Sequence, residues 1–105
     1  MLAIANWELV ALMIYALGQE PRPALLFNAE WNKPAPAFNQ QFPPGAPEAD
    51  LRRWLAGNRF RINGPGAASK LVGGVPCSEA IDIAWQARAG RLTRASATVR
   101  ESGCL

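Results

Sequence analysis

CSEAIDIAWQARAGRLTRASATVRESGC, residues 77–104, alternates apolar and polar side chains on either side of Gly90. Between Glu79 and Arg88 the odd positions are Ile81, Ile83, Trp85 and Ala87, while Asp82, Gln86 and Arg88 take even ones. Between Arg94 and Arg100 the odd positions are again apolar, Ala95, Ala97 and Val99, and the even ones are Arg94, Ser96, Thr98 and Arg100. A period of two is that of a strand with one buried face. Arg88-Ala89-Gly90 between them fits a three-residue hairpin loop with glycine at the left-handed position. That loop sets Ile83 opposite Ala95 and Ile81 opposite Ala97. A helix over Ser78 to Ala89 competes, with Ser78 as N-cap, Ile81, Ala84 and Trp85 as a stripe and Gly90 as a stop. The strand is preferred because it alone uses Ile83 and gives residues 95–99 a partner.

The hairpin assigns a role to the two cysteines. Folding brings Cys77 and Cys104 to its open end, with Gly103 available as a one-residue bulge to align them. A disulfide there closes a loop of about 27 residues, and chain entropy puts its worth at about 3.5 kcal/mol. Such a bond needs an oxidising compartment; the alternative is a pair of reduced, buried thiols. A third reading opens a helix at Cys77, lowering its thiol pKa, with Cys104 as resolving partner in a thiol redox protein.

Upstream, Pro47 to Ala56 reads as a helix: proline suits the first helical position, Glu48 and Asp50 suit the positive end of the dipole, and Gly57 or Asn58 suits the left-handed stop. Leu51, Trp54 and Leu55 form its apolar stripe, with Arg52 and Arg53 outside. Arg59 to Asn63 alternates as a short strand that turns Phe60 and Ile62 inward, closed by Gly64-Pro65-Gly66. Ala67 to Pro76 reads as a loop or a brief edge strand, because Gly73-Gly74 and Pro76 interrupt it.

Seven of the nine prolines lie within residues 19–46 and at Pro47, so no long helix or central strand runs through that segment. It is a proline-rich arm, yet it carries Phe27, Trp31, Phe38 and Phe42, which water solvates poorly. Those four are either packed across the chain's own sheet or, as in proline-rich ligands, offered to a partner. They are the candidate partner-binding residues.

Residues 2–17, LAIANWELVALMIYAL, are the most apolar stretch. As a helix they span about 24 Å, short of the roughly 30 Å of a bilayer's hydrocarbon core. Ala16-Leu17-Gly18 has the small residues that a signal peptidase requires, although no Lys or Arg precedes it and Glu8 stands where a positive charge is expected. Residues 1–18 are therefore expected to be a signal peptide or a membrane anchor, the alternative being a helix docked on the domain. Membrane association, if any, would run through residues 2–17.

The composition narrows the chemistry. With no histidine, imidazole bases, Ser-His and Cys-His pairs and His-ligated metals are all absent. Two cysteines are too few for a structural zinc site, and neither glycine cluster is followed by the lysine and helix of a phosphate loop. No catalytic residue, metal or cofactor is expected. A net charge of +3 comes from cations dispersed along residues 22–100, a solubility feature before a binding one. Arg59, Arg61, Arg88, Arg91, Arg94 and Arg100 would line a nucleic-acid face if Phe60 served as a stacking platform, but its parity turns it toward the core. A nucleic-acid partner is thus the less favoured reading.

The expectation is a small α+β domain over residues 47–105. One short helix packs on a small antiparallel sheet ending in a C-terminal β-hairpin, preceded by the arm and an apolar N-terminal helix. Leu51, Trp54, Leu55, Phe60, Ile62, Ile81, Ile83, Trp85, Ala97 and Val99 make its core. The chain reads as an exported (periplasmic or extracellular) or membrane-tethered, non-catalytic binding or structural accessory module with a protein partner. The alternatives are a cytoplasmic arginine-rich nucleic-acid-binding module and, third, the thiol redox protein.

Overall fold

A computed structural model describes residues 21–73 and 77–104. The apolar segment 1–18 lies outside them. The chain is a small α+β fold whose four strands form one antiparallel sheet in sequence order: β1 (Arg61–Gly64), β2 (Ala67–Gly73), β3 (Cys77–Arg88) and β4 (Arg91–Cys104). Among the described residues, two helices precede it, α1 (Pro36–Gln41) and α2 (Glu48–Gly57), and a 3-10 turn lies at Ala24–Leu26.

Residues 77–88 are extended, so the strand reading of the quoted stretch is the correct one. Alternation also names the buried face: Ile81, Ile83, Trp85, Ala97 and Val99 are all buried. The register differs from expectation by two residues, since Ile83 pairs with Ala97 and Ile81 with Val99. Two local features produce the shift. The turn holds only Ala89 and Gly90, both left-handed at φ 53° and 78°, and Thr93 is an extra residue where Gln86 pairs with Arg94 and Ala87 with Leu92. Because the shift is even, every side chain stays on its expected face. The bulge near the cysteines falls at Ser102, leaving Gly103 paired with Ser78.

Helix α2 begins at Glu48 with Pro47 as N-cap residue, one position later than the sequence suggests. Glu48 and Asp50 sit in its first turn, and Leu51 and Leu55 are fully buried. The left-handed residue after it is Arg59 (φ 61°), not Gly57 or Asn58. Asn58 instead caps the helix, its backbone N–H and its side-chain Nδ2 both donating to Trp54 O at 3.0 and 2.9 Å. The chain reversal therefore passes to the next residue. The helix is fastened to β3 by Glu48, whose Oε2 accepts the Trp85 indole N–H at 2.8 Å, while the Arg52 guanidinium stacks over the Trp85 ring.

Residues 67–73 form an internal strand of seven residues between β1 and β3, not a loop or an edge strand. Ala68 and Val72 face the core, and Lys70 shares their side. The lysine escapes burial of its charge by laying its stem toward Phe60 and donating Nζ to Asn58 O. Ile62, expected inside, is 47% exposed, because β1 is the edge strand.

The arm joins the same core. Leu26, Ala35, Phe38 and Phe42 are buried with the sheet residues. Phe38, Phe42, Trp54 and Phe60 form an aromatic cluster with ring centroids 5.1–5.8 Å apart. Helix α1, unforeseen in a proline-rich stretch, fits between prolines because Pro36 occupies its first turn, where no backbone donor is lost. The arm also pairs with the outer edge of β4: Asn32 N–H donates to Val99 O, Ala35 N–H to Ala97 O and Gly45 N–H to Leu92 O, at 2.7–2.9 Å.

Candidate functional site

The four arm aromatics separate into two pairs. Phe38 and Phe42 are core residues at 0% and 4% exposure, which removes them from any contact surface. Phe27 and Trp31 are 58% and 42% exposed. Parity arguments that sort side chains in strands have no hold on a proline-rich segment, so the sequence alone could not divide them.

What keeps Phe27 and Trp31 together is an ion pair that the sequence reading missed. Arg22 grips Glu79 of β3 through two hydrogen bonds, Nε to Oε1 at 2.9 Å and Nη2 to Oε2 at 2.6 Å. Its remaining nitrogen, Nη1, donates to the carbonyls of Leu26, Phe27 and Ala29 at 3.0–3.3 Å. One guanidinium thus winds residues 26–29 around itself while fastening them to the sheet. Glu79 Oε2 also accepts the indole N–H of Trp31 at 2.5 Å. Arg22 and Glu79 are both mostly shielded, with side chains 18% and 16% exposed. The hydrogen bond from Arg22 holds the Glu79 carboxyl below its ordinary range against the opposing effect of burial, and Trp31 adds to the lowering. The same contact raises Arg22. Fifty-seven residues separate the partners, and nothing local in either sequence marks the pairing.

Trp31 therefore has its one polar group satisfied internally and turns hydrocarbon outward. Elsewhere on the arm, the 3-10 turn and α1 flank a groove of about 420 Å³ lined by small and apolar residues, among them Ala24, Leu25, Ala29 and Pro36, with Asn28 and Gln40 at its polar points; neither Phe27 nor Trp31 lines it. The arrangement is suited to apolar contact. It brings together no acid–base pair or nucleophile.

The cysteines stand at the far rung of the β3–β4 hairpin. Cys77 pairs with Cys104, and the sulfurs lie 2.09 Å apart, at disulfide distance. Cys77 opens a strand rather than a helix, so the helix-terminus activation required by a thiol redox protein is missing. Glu101 completes a group of three with the two sulfurs, but sulfurs joined to each other offer no thiolate to a metal. Two of the hairpin's carboxylates are taken up in ion pairs, Glu79 with Arg22 and Asp82 with Arg100 at 2.7 Å. Phe60 is buried, as its parity indicates, so the arginines have no stacking platform there.

Among the described residues, no helix is long and apolar enough to cross a membrane. No protein-family model, curated protein or solved structure matches the chain.

Proposed function

We propose that this chain is an exported or membrane-tethered, non-catalytic binding or structural accessory module, and that Phe27 and Trp31 are its contact residues toward a protein partner. The observation that carries the reading is the Arg22–Glu79 clasp, which presents two large apolar side chains to solvent on an otherwise well-packed arm. Preorganised aromatics of this kind are what binding hot spots use, because their ordering entropy is lost in folding and not again on association. A sulfur pair at disulfide distance is compatible with export.

Intact mass measured with and without reductant, on protein from its native host, tests the compartment. Cleavage after Gly18 or recovery in membranes, together with a mass gain of two hydrogens on reduction, is the expected result. Soluble full-length protein with free thiols would overturn it. The nucleic-acid alternative makes a separate forecast, binding to mixed oligonucleotides that weakens steeply with salt.

A further inference from the structure

The arm is held by both strands of one hairpin end. From β3, Glu79 receives Arg22 and Trp31. From β4, the carbonyls of Val99 and Ala97 receive the backbone N–H groups of Asn32 and Ala35. Beyond Glu79 only two rungs remain, Ser78 with Gly103 and Cys77 with Cys104. This end is poorly suited to hold itself closed. Glu79 lies opposite Glu101 but is turned to Arg22, so no side-chain bond links the two across the strands, and Ser102 bulges out of the next step. Residues 101–104 are exposed, and terminal rungs of that kind open first. β2 holds the β3 side, with Val72 opposite Glu79 and Gly73 opposite Ser78, so the bond between the sulfurs is what ties the exposed end of β4 to it.

We propose that Cys77–Cys104 is a redox latch for the arm: thiol–disulfide exchange with a dithiol at Cys104 lets the hairpin end fray and loosens the Glu79 clasp. The latch stands on the geometry of the hairpin end, and its consequence for binding rests on reading Phe27 and Trp31 as contact residues. Cys104 is the exposed member of the pair, whereas Cys77 is half-buried. A thiolate of the dithiol attacks Cys104 Sγ and forms a mixed disulfide, and the Cys77–Cys104 bond breaks with its electron pair on Cys77 Sγ. Because the attack falls on the exposed sulfur, Cys104, the departing charge falls on Cys77. The second thiol of the reductant then displaces Cys104 and leaves as a disulfide. Two electrons pass to the protein, and the reductant's two thiol protons end on the two cysteines.

The test is hydrogen exchange in the full chain, oxidised and then reduced with dithiothreitol. Reduction should speed exchange at the Asn32 and Ala35 amides and the Trp31 indole by about tenfold or more, the loss of one charged hydrogen bond. The Gly45 and Leu92 amides, paired near the turn, should keep their rates. The double variant C77S/C104S should reproduce the pattern without reductant, and Glu79→Gln should speed the Trp31 indole in the oxidised chain. Unchanged rates at Asn32 on reduction, equal acceleration at both ends, or an indole indifferent to Glu79→Gln would each overturn the latch. None of these outcomes touches the mass measurement, and free thiols in the native host would sink the export reading while leaving the exchange result standing.

Discussion

The two halves of the arm solve the same problem in opposite ways. Residues 35–47 reach the sheet with aromatic side chains, Phe38 and Phe42 filling the space between α2 and the core. Residues 21–34 reach it with a buried leucine, Leu26, and with charge, Arg22 on Glu79, and leave both their aromatics, Phe27 and Trp31, outside. Proline content is similar in both. Proline thus fixes backbone shape but not which side chains are buried; that depends on whether the sheet lies beneath them. Phe38 sits on a helix over the core, while Trp31 sits beyond the edge of β4, bridged to Val99.

The largest expected effect comes from the apolar half. Phe38→Ala empties a fully buried site and should lower unfolding free energy by about 3–5 kcal/mol in a denaturant titration. A smaller loss would mean that the cluster of four rings can collapse around the gap. In the polar half, Arg22→Ala strands the Glu79 carboxylate and three carbonyls, so about 2 kcal/mol should be lost, with the change concentrated in residues 22–35. Equal loss across the sheet would contradict a local clasp.

Acid should separate the halves further. The folded-state pKa of Glu79 is lowered, so its stabilisation is complete above the unfolded value, about 4.3, and disappears as pH falls through the folded value. Exchange protection at Asn32 should therefore hold from pH 7 to 5 and decline below about 4, ahead of protection at Leu92. Glu79→Gln should flatten that decline. Trp31→Phe keeps the ring but removes the N–H donated to Glu79, with an expected loss of about 1 kcal/mol in the same titration. Phe27→Ser should change stability by no more than about 0.5 kcal/mol, since the ring is largely in water. A substantial loss there would show that Phe27 packs on its own chain, leaving nothing to offer a partner.

The sequence disclosed those parts of the fold in which local chemistry and burial agree. Parity alone separated the faces of β3 and β4, and the stripe Leu51, Trp54, Leu55 with its acidic first turn located α2 to within a residue. Register did not follow, because alanine at a left-handed turn position and a bulge at Thr93 are both uncommon choices that carry no sequence mark. Strand β2 was concealed by Gly73-Gly74 and Pro76, which mark where the strand ends and not that it is absent, and by Lys70, a charged residue on the core side whose amine is satisfied by Asn58 O. The proposed contact surface was legible only as four aromatics in a segment too apolar to be a spacer. Its reduction to Phe27 and Trp31 required the burial of Phe38 and Phe42, and the anchoring of the exposed pair required Glu79, a residue whose partner is defined by three-dimensional proximity alone.

The hydrogen bonds from Asn32, Ala35 and Gly45 to β4 have a bearing on how copies of the chain meet one another. A sheet margin with free carbonyls and amides invites a neighbour's strand and, repeated, a ribbon. Here the longest strand is already sheathed along that margin by the chain's own prolines, which cannot pass the pairing on. The opposite margin, β1, is four residues long and irregular in its register, a poor template for growth. The arm thus doubles as insulation, and loosening it would expose the margin of β4 from Arg91 to Val99 to whatever lies nearby.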